Sequence, residues 1–597
     1  MNKHAAPATH AAQVETPVPA GINAPGFGSD VVADTLRVLD IPYVALNPGA
    51  SYRGLHDSLV NYLGNERPQM LLCLHEESAV AIAQGYAKVT GQAMGAIVHS
   101  NVGLMHATMA IFNAWCDRMP VVVLGATGPV DASKRRPWID WIHTARDQGA
   151  LVRGYVKWDD QPASLAAPRE ALIRVANIAN AMPQGPVYVN LDAEMQEAKL
   201  PEPLPPIDVS RYRPRLSSAP DPEMVKEAAE RLRQAKRPVI LAGRASRKLD
   251  PWNARIALAD SLNARVLTDL KIGASFPTDH PLHVGDPSMI LPDADGLAAL
   301  GEADVILSLD WVELAGALKA AKTDAFVISA TLDQHIHNGW SMDHQALPPV
   351  DMLISADPDQ VAIALSKVIG ASAKPAQAAA PWAMAKSAGS ENSDKLTVED
   401  LAFAVRHAVG TRDVSLTHLP LSWNGAWWPF RHPLDFLGSD GGGGIGGGPG
   451  ISVGAALALK GSGRLPVAIC GDGDYLMGVT ALWTAAHYRI PLLVVIANNR
   501  SFFNDELHQE RVARMRHRPV ENRWIGQRIS DPDIDLAAMA RAQGAQGFGP
   551  VQTESELSAA LSAAITAVES GAVAVVDVRV EPGYAPSMTA VMTRKPE

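Results

Sequence analysis

The segment that most constrains the fold consists of two apolar runs, each followed by polar residues. The runs are residues 467–470 and 492–497, and they are followed by Gly471-Asp472-Gly473-Asp474 and by Asn498-Asn499. A helical stretch lies between them, so the pattern predicts a strand–helix–strand unit with parallel strands. Because the carboxyl ends of parallel strands meet at one edge of a sheet, we expect Asp472 and Asn499 to lie close together.

The residues at this sheet edge favour binding of a divalent cation and a phosphate. Carboxylate and amide oxygens are hard ligands of the kind that suit Mg²⁺, which often shares substrate phosphates. Backbone N–H groups at the turn and the helix start can bind the phosphate oxygens. The alternative interpretation is an ordinary βαβ unit with Gly and Asp in its turn.

Composition excludes several classes of protein. The chain of 597 residues is long enough for about three or four domains. Its net charge of −11 disfavours nucleic acid or an anionic membrane as the main partner. The 3 cysteines include no CxxC pair and favour packed thiols in a reducing, cytoplasmic setting. No apolar run is long enough to predict a membrane span.

Two proline- and alanine-rich stretches, residues 195–220 and 371–395, read as linkers. In each of the three segments that the linkers separate, short β-branched runs alternate with helical patterns, which predicts an α/β fold with three consecutive doubly wound parallel-sheet domains. The runs that predict strands are residues 43–46, 70–74, 96–99, 121–124, 187–190, 239–242, 264–267, 305–309, 325–328, 467–470, 492–497 and 574–578. The predicted domains are residues 29–194, 221–370 and 396–585, with a disordered tail at 1–28 and a carboxyl-terminal tail at 586–597.

A second motif lies in the first domain, where Glu76 comes nine residues before Gly85-Tyr86-Ala87. Together with the Gly-Asp-Gly and Asn-Asn segments, it resembles the motifs of thiamine diphosphate-dependent enzymes. The resemblance implies that Glu76 hydrogen-bonds the aminopyrimidine ring of the cofactor and thereby promotes loss of the thiazolium C2 proton. The alternative interpretation is that Glu76 has a structural role, as a carboxylate stabilised by the dipole at a helix N-terminus.

The resemblance also implies the architecture of the site. The first domain would bind the pyrimidine ring of thiamine diphosphate, and the third its diphosphate through Mg²⁺. Asp472, Asn499 and the backbone carbonyl of Ser501 would be the metal ligands. In the family the cofactor bridges two subunits, so a homodimer or homotetramer is implied. The central domain lacks a glycine-rich fingerprint, which predicts no FAD.

Two loops of the first domain match cofactor-side loops of the family. Residues 47–50, Asn47-Pro48-Gly49-Ala50, match the first, but Ala50 replaces a serine that touches substrate in benzoylformate decarboxylases. Residues 98–107 match the second and resemble benzoylformate decarboxylases specifically, because these have His-Ser where this chain has His99-Ser100. His99 would serve in proton transfer with Ser100 beside it, and His106 is a candidate cofactor or substrate contact.

The third domain supplies the remaining candidates. The glycine run 441–450 lies where the family places a large apolar residue under the cofactor. Counting back from Asp472 gives Gly447, and Ile445 is the only bulky residue nearby. Ser422 is a candidate diphosphate contact and Phe502 a candidate substrate contact. The predicted cofactor-binding residues are Asn47, Pro48, Gly49, Glu76, Ser422, Ile445, Gly447, Gly471, Gly473, Asp474 and Asn499.

The leading hypothesis is a thiamine diphosphate- and Mg²⁺-dependent lyase that decarboxylates a 2-oxo acid, with carboligation as a further outcome. The alternatives are a carboligase similar to acetolactate synthase and a 2-hydroxyacyl-CoA lyase. A non-catalytic protein of the same fold should have lost the activating carboxylate or the metal ligands, but Glu76, Asp472 and Asn499 are present. A nucleotide-binding dehydrogenase would need G-x-G-x-x-G directly after a first strand, and the glycine run follows no clear strand.

Overall fold

Three parallel β-sheets follow one another along the chain. The computed structural model describes residues 11–584, apart from residues 13, 23, 214–217, 334–346 and 371–394. Nearly all of the predicted linker at 371–395 and the whole carboxyl-terminal tail at 586–597 therefore lie outside the described residues. Within the described residues, no helix is both long enough and apolar enough to cross a membrane.

The first sheet has six parallel strands in the order β2-β1-β3-β4-β6-β5. Its strands are β1 Tyr43–Leu46, β2 Gln69–Leu72, β3 Met94–Ile97, β4 Val121–Thr127, β5 Asp159–Asp160 and β6 Val187–Asp192. Its helices are α1 Gly28–Val38, α2 Arg53–Asp57, α3 Glu76–Thr90, α4 Ser100–Asp117, α5 Ile139–Ile142, α6 Ala167–Asn180 and α7 Ala193–Glu197.

The second sheet has five parallel strands in the order β11-β10-β9-β7-β8. Its strands are β7 Pro238–Ala242, β8 Arg265–Leu267, β9 Val305–Leu309, β10 Phe326–Ala330 and β11 Met352–Ile354. Its helices are α8 Pro222–Gln234, α9 Leu249–Leu262, α10 Ala294–Gly301, α11 Leu314–Ala321 and α12 Pro358–Ile369.

The third sheet has five parallel strands in the order β12-β13-β14-β16-β15. Its strands are β12 Val414–His418, β13 Leu465–Gly471, β14 Leu492–Asn498, β15 Gln546–Val551 and β16 Val573–Arg579. Its helices are α13 Val398–Val409, α14 Gly447–Leu459, α15 Asp472–Gly478, α16 Ala481–His487, α17 Phe503–Met515, α18 Leu536–Ala542 and α19 Glu554–Glu569.

The predicted fold class, three parallel α/β sheets in succession, is confirmed. The β-branched runs identified in the sequence correspond to strands, most of them fully buried, as expected for parallel sheets covered on both faces. Four strands were not predicted: β5, β11, β12 and β15. The first two are only two and three residues long, and β15 (QGFGPV) contains glycine and proline instead of a β-branched run.

The first and third sheets are joined by close packing of α3 against α14. A Cβ atom on Gly85 would lie 1.9 Å from the carbonyl oxygen of Ile451, and one on Gly454 would lie 1.9 Å from that of Ile82. Only glycine fits at these two positions, so the helix backbones touch directly. Buried side chains of both sheets form one continuous core, which places the two halves of the site in a fixed relation within the chain.

The described part of the amino-terminal segment is packed against both of these sheets. Ala11 is buried, and its backbone N–H donates a hydrogen bond to the Tyr43 hydroxyl. The Tyr488 hydroxyl donates to the Glu15 carboxylate at 2.9 Å. Helix α1 begins at Gly28, at the end of the stretch that the sequence suggested to be a disordered tail.

Candidate functional site

The carboxyl edge of the third sheet brings Asp472, Asn499 and Ser501 together. β13 and β14 are adjacent and in register, so the residues after them lie side by side. The backbone nitrogen of Ser501 is 3.2 Å from Asp472 Oδ2 and 2.9 Å from Asn499 Oδ1. One amide thus contacts both side-chain oxygens, and the two predicted ligand atoms lie within a few ångströms of each other.

The environment of Asp472 suits a cation. The side chain is buried, and the hydrogen bonds recorded for it come from the backbone of Gly473 and Ser501. Burial raises the pKa of Asp472 to about 6 although backbone N–H groups oppose the shift. A buried carboxylate with an amide oxygen beside it matches the hard oxygen set that Mg²⁺ prefers. These residues therefore fit the metal that the sequence implies.

Asp474 organises the glycine-rich segment next to this site. Its Oδ1 accepts hydrogen bonds from the backbone of Gly446 at 2.7 Å and Gly448 at 3.2 Å. Its Oδ2 lies 3.2 Å from Nε2 of the buried His418. Burial disfavours both charges, but their mutual attraction outweighs it, so that the pKa of His418 is raised and that of Asp474 is lowered. Asp474 therefore fixes the loop backbone.

A cavity of about 500 Å³ opens above this edge. Nine of the predicted residues line it, and they all belong to the third domain: Ser422, Ile445, Gly471, Asp472, Gly473, Asp474, Asn499, Ser501 and Phe502. Ile445 is 44% exposed and supplies a bulky apolar side chain at the wall. Gly447, the position obtained by counting back from Asp472, is buried as the first residue of α14 and does not line the cavity. The apolar side chain that does line it, Ile445, lies two residues earlier in the chain.

Glu506 supports the loop that contains Ser501. It is 1% exposed, and the Ser501 hydroxyl donates to its Oε1 at 2.6 Å. Arg523 and Arg528 lie 3.4 and 3.3 Å from its carboxylate oxygens. Glu506 therefore contacts Ser501 and two arginines, and it does not line the cavity.

The second group of predicted residues lies at the carboxyl edge of the first sheet. Glu76, the first residue of α3, is 6% exposed, and its Oε2 is 3.3 Å from Nδ1 of His106, which projects from α4. The His75 ring stacks on the His106 ring with centroids 5.1 Å apart. His75 Nδ1 accepts the backbone N–H of Glu77, so this ring is fixed as the N-cap of α3.

His99 lies beside Glu76 in this group. Its Nδ1 is 2.8 Å from the Ser51 hydroxyl, and its ring packs edge-on against His143 at 4.7 Å between centroids. Burial and then His143 lower the pKa of His99, with Glu76 opposing them. Ala50, which replaces the substrate-contacting serine of benzoylformate decarboxylases, is exposed.

Hydrogen bonds from side chains to backbone carbonyls fix the loops around these histidines. Ser100 is fully buried, and its hydroxyl donates to the carbonyl of His143, so it is engaged by that loop. Asn47 donates through Nδ2 to the Cys73 carbonyl at 3.0 Å. The Tyr52 hydroxyl donates to the Asn47 carbonyl, which anchors the loop that contains Pro48.

The predicted site residues thus form two separate groups in one chain. Of the described residues, those lining the 500 Å³ cavity do not include Glu76, His99 or His106. The adjacent carboxylates of Glu76 and Glu77 face different neighbours. Glu76 contacts His106 of its own sheet, whereas burial and then the charge of Asp474 raise the pKa of Glu77. The Glu76 carboxylate therefore contacts the first domain and does not line the cavity at the edge of the third sheet.

Sequence reasoning missed Ser51 and His418. No motif distinguishes Ser51, which immediately follows the predicted loop residues 47–50. His418 is the last residue of β12, a strand that was not predicted. Recognising β12 would have placed His418 at the same sheet edge as Asp472, because the strand pairs with β13.

Three protein-family models match the chain in order. The N-terminal TPP (thiamine pyrophosphate) binding domain of thiamine pyrophosphate enzymes matches residues 27–151, the central domain 225–310 and the C-terminal TPP binding domain 421–578. Together these models cover more than half of the chain.

Relatives include both decarboxylases and synthases. Benzoylformate decarboxylase of Pseudomonas aeruginosa is 26% identical over 515 residues, covering 83% of this chain and 89% of that protein. The acetolactate synthase large subunit of Corynebacterium glutamicum is 25% identical over 493 residues, covering 79% of this chain and 75% of that protein.

A solved structure agrees in fold. The 4-hydroxybenzoylformate decarboxylase of Rhodococcus jostii RHA1 superposes with a TM-score of 0.76 at 22% identity, covering 94% of this chain and all of that one. The chain belongs to the thiamine diphosphate-dependent enzymes of the 2-oxo acid decarboxylase and acetolactate synthase family.

Proposed function

We propose that this protein is a thiamine diphosphate- and Mg²⁺-dependent lyase that decarboxylates a 2-oxo acid. The observation that carries the proposal is the contact of one backbone amide, that of Ser501, with both Asp472 and Asn499 at the wall of a large cavity. Two hard oxygen atoms side by side at the carboxyl edge of a parallel sheet support binding of a phosphate-bound Mg²⁺.

Each group of residues has its own part in the proposed reaction. Asp472, Asn499 and the Ser501 carbonyl hold the metal, while the loop fixed by Asp474 and the side chain of Ile445 shape the bed of the cofactor. Thiamine diphosphate supplies the carbon nucleophile and accepts the electrons released with CO₂. Glu76 exchanges a proton with the aminopyrimidine ring, and His99 acts on the substrate oxygens.

The separation of the two groups supports assembly into a homodimer or homotetramer with the active site between subunits. Glu76 does not line the cavity of its own chain, so a second copy is needed to complete the site. Large apolar side chains around this group are exposed, which is typical of an interface. Leu74 (44% exposed), Val102 (38%) and Met105 (55%) lie near Glu76 and His99 in sequence, and Trp138 (69%) and Trp141 (72%) precede His143, whose ring packs against His99.

We favour decarboxylation over carboligation because a histidine, His99, is held 2.8 Å from a hydroxyl and belongs to the same group of residues as Glu76, whose charge acts on it. An acetolactate-synthase-like carboligase is the second candidate, since a synthase relative has nearly the same identity as the decarboxylase relative.

Product analysis separates the two candidates. Purified protein with Mg²⁺ and thiamine diphosphate is incubated with pyruvate and, separately, with benzoylformate. Release of CO₂ with the corresponding aldehyde supports the decarboxylase. Acetolactate from pyruvate supports the carboligase, and absence of cofactor binding contradicts both.

A further inference from the structure

The hydroxyl of Ser51 is held in place against His99. Ser51 lies in a short helical turn, Ala50–Tyr52, and is 5% exposed. Gln196 donates to its carbonyl at 3.1 Å, and the neighbouring Tyr52 hydroxyl is bonded to the Asn47 carbonyl. The turn is therefore anchored on two sides, so that the 2.8 Å contact between Ser51 Oγ and His99 Nδ1 belongs to a fixed element.

The ring of His99 has little freedom of its own. A Cβ atom on Gly49 would lie 2.3 Å from His99 Cβ, so the loop backbone is packed directly on the histidine. The edge of the His143 ring closes another side. The groups that act on the charge of His99 are His143, from the segment after α5, and Glu76, from α3.

The direction of the Ser51 bond decides which ring nitrogen carries the proton. A neutral imidazole has one N–H donor and one bare acceptor nitrogen. Burial, followed by His143, holds the pKa of His99 below its ordinary value, so the neutral ring predominates near pH 7. If the Ser51 hydroxyl donates to Nδ1, the proton must reside on Nε2. Among the described residues, no hydrogen bond is recorded for Nε2, which leaves it available for a ligand.

We propose that Ser51 is a positioning residue that holds His99 as the Nε2–H tautomer, so that His99 donates a hydrogen bond to a substrate oxygen. The inference rests on the proposed function, because that function supplies a 2-oxo acid with carboxylate and carbonyl oxygens. A neutral imidazole fixed in this way stabilises developing negative charge on oxygen without giving up its proton. The serine of this chain thus acts through His99, one residue beyond the position at which benzoylformate decarboxylases use a serine to touch the substrate.

One arm of the test requires no turnover. The pKa of His99 is measured in apoprotein from the pH dependence of deuterium exchange at the imidazole C2, followed peptide by peptide by mass spectrometry. Ser51→Ala removes a bond donated to the unprotonated Nδ1, so the pKa of His99 should rise. Ser51→Thr keeps the hydroxyl and should leave the pKa near that of the wild type. An unchanged or lowered pKa in Ser51→Ala overturns the proposal.

The second arm measures catalysis. Ser51→Ala should lower kcat/KM for the decarboxylated 2-oxo acid about five- to tenfold, whereas in a His99→Ala background it should have no further effect. Moving the hydroxyl back by one residue, in Ala50→Ser/Ser51→Ala, should not restore the rate. Additive losses from the two alanine substitutions contradict a role through His99. If the wild type turns over no 2-oxo acid, the proposed function fails, while the pKa arm still decides the Ser51–His99 bond.

Discussion

The diphosphate side of the site and the pyrimidine side differ in completeness. At the edge of the third sheet, the backbone amide of Ser501 contacts both Asp472 and Asn499, and all three residues line one cavity of the chain. At the edge of the first sheet, Glu76 contacts His106, which is 54% exposed. Under the proposed function, the first group holds metal and phosphate within one chain, whereas the second requires the surface of another subunit.

This difference indicates that binding and activation reside in different halves. Under the proposed function, the diphosphate side supplies most of the binding of the cofactor, because its oxygen atoms are arranged in advance by strand ends and by the loop that Asp474 fixes. The pyrimidine side then supplies the acid–base chemistry. Substitutions on the two sides should therefore have different kinetic signatures.

The largest effect is expected from Glu76→Gln. Loss of the activating carboxylate should reduce kcat by about 10²–10⁴-fold, while the affinity for Mg²⁺ and thiamine diphosphate, measured by calorimetry, changes little. Glu77→Gln is the matched control, because its carboxylate faces the Asp474 side, and it should retain most of its turnover. A fully active Glu76→Gln protein would contradict the assigned role.

Asp472→Ala should act on retention of the cofactor instead. Removing one of the three proposed metal ligands should weaken binding of thiamine diphosphate with Mg²⁺ by about 100-fold. Excess cofactor should then restore part of the turnover. Asp435→Ala is a control at a carboxylate of the same domain that is paired with Arg464 and does not line the cavity. Equal affinities in Asp472→Ala and wild-type protein would exclude metal ligation by this residue.

The contact between the first and third domains can be weakened by a substitution outside both groups of site residues. The Arg247 guanidinium donates to the carbonyls of Lys88 in the first domain and of Pro433 and Leu437 in the third, at 3.1 to 3.4 Å. Burial lowers the pKa of Arg247 to about 10. Arg247→Ala should reduce the free energy of unfolding by about 2 kcal/mol, measured by urea denaturation. Arg247→Lys keeps a positive charge, so its free energy of unfolding should fall by less. Equal stability of Arg247→Ala and the wild type would contradict a stabilising contact between the domains through Arg247.

The smallest effect is expected at His106. Its contact with Glu76 is half exposed, and such pairs contribute about 0–1 kcal/mol. His106→Asn should therefore change kcat by no more than about fivefold. A loss as large as that of Glu76→Gln, in parallel steady-state assays, would show that His106 is part of the activating group itself.

Sequence reasoning succeeded where local pattern decides structure. Apolar runs predicted the strands, and the geometry of parallel strands placed Asp472 beside Asn499. It failed where a contact depends on distant backbone. Ser51 meets His99 through two loops 48 residues apart in the chain, and His418 meets Asp474 from a separate strand, β12. Such contacts are set by tertiary packing, which no local pattern encodes.

Complementation between two impaired variants, assayed without excess cofactor, tests most directly whether the active site is shared between subunits. Glu76→Gln and Asp472→Ala chains are co-expressed in equal amounts so that they assemble at random, and decarboxylation is compared with that of each variant alone. Half of the resulting subunit pairs are mixed, and in each mixed pair one of the two sites receives an intact Glu76 and an intact Asp472. The expected activity is about a quarter of wild type. Activity no higher than that of the separate variants would mean that both residues act within one chain and would contradict the account.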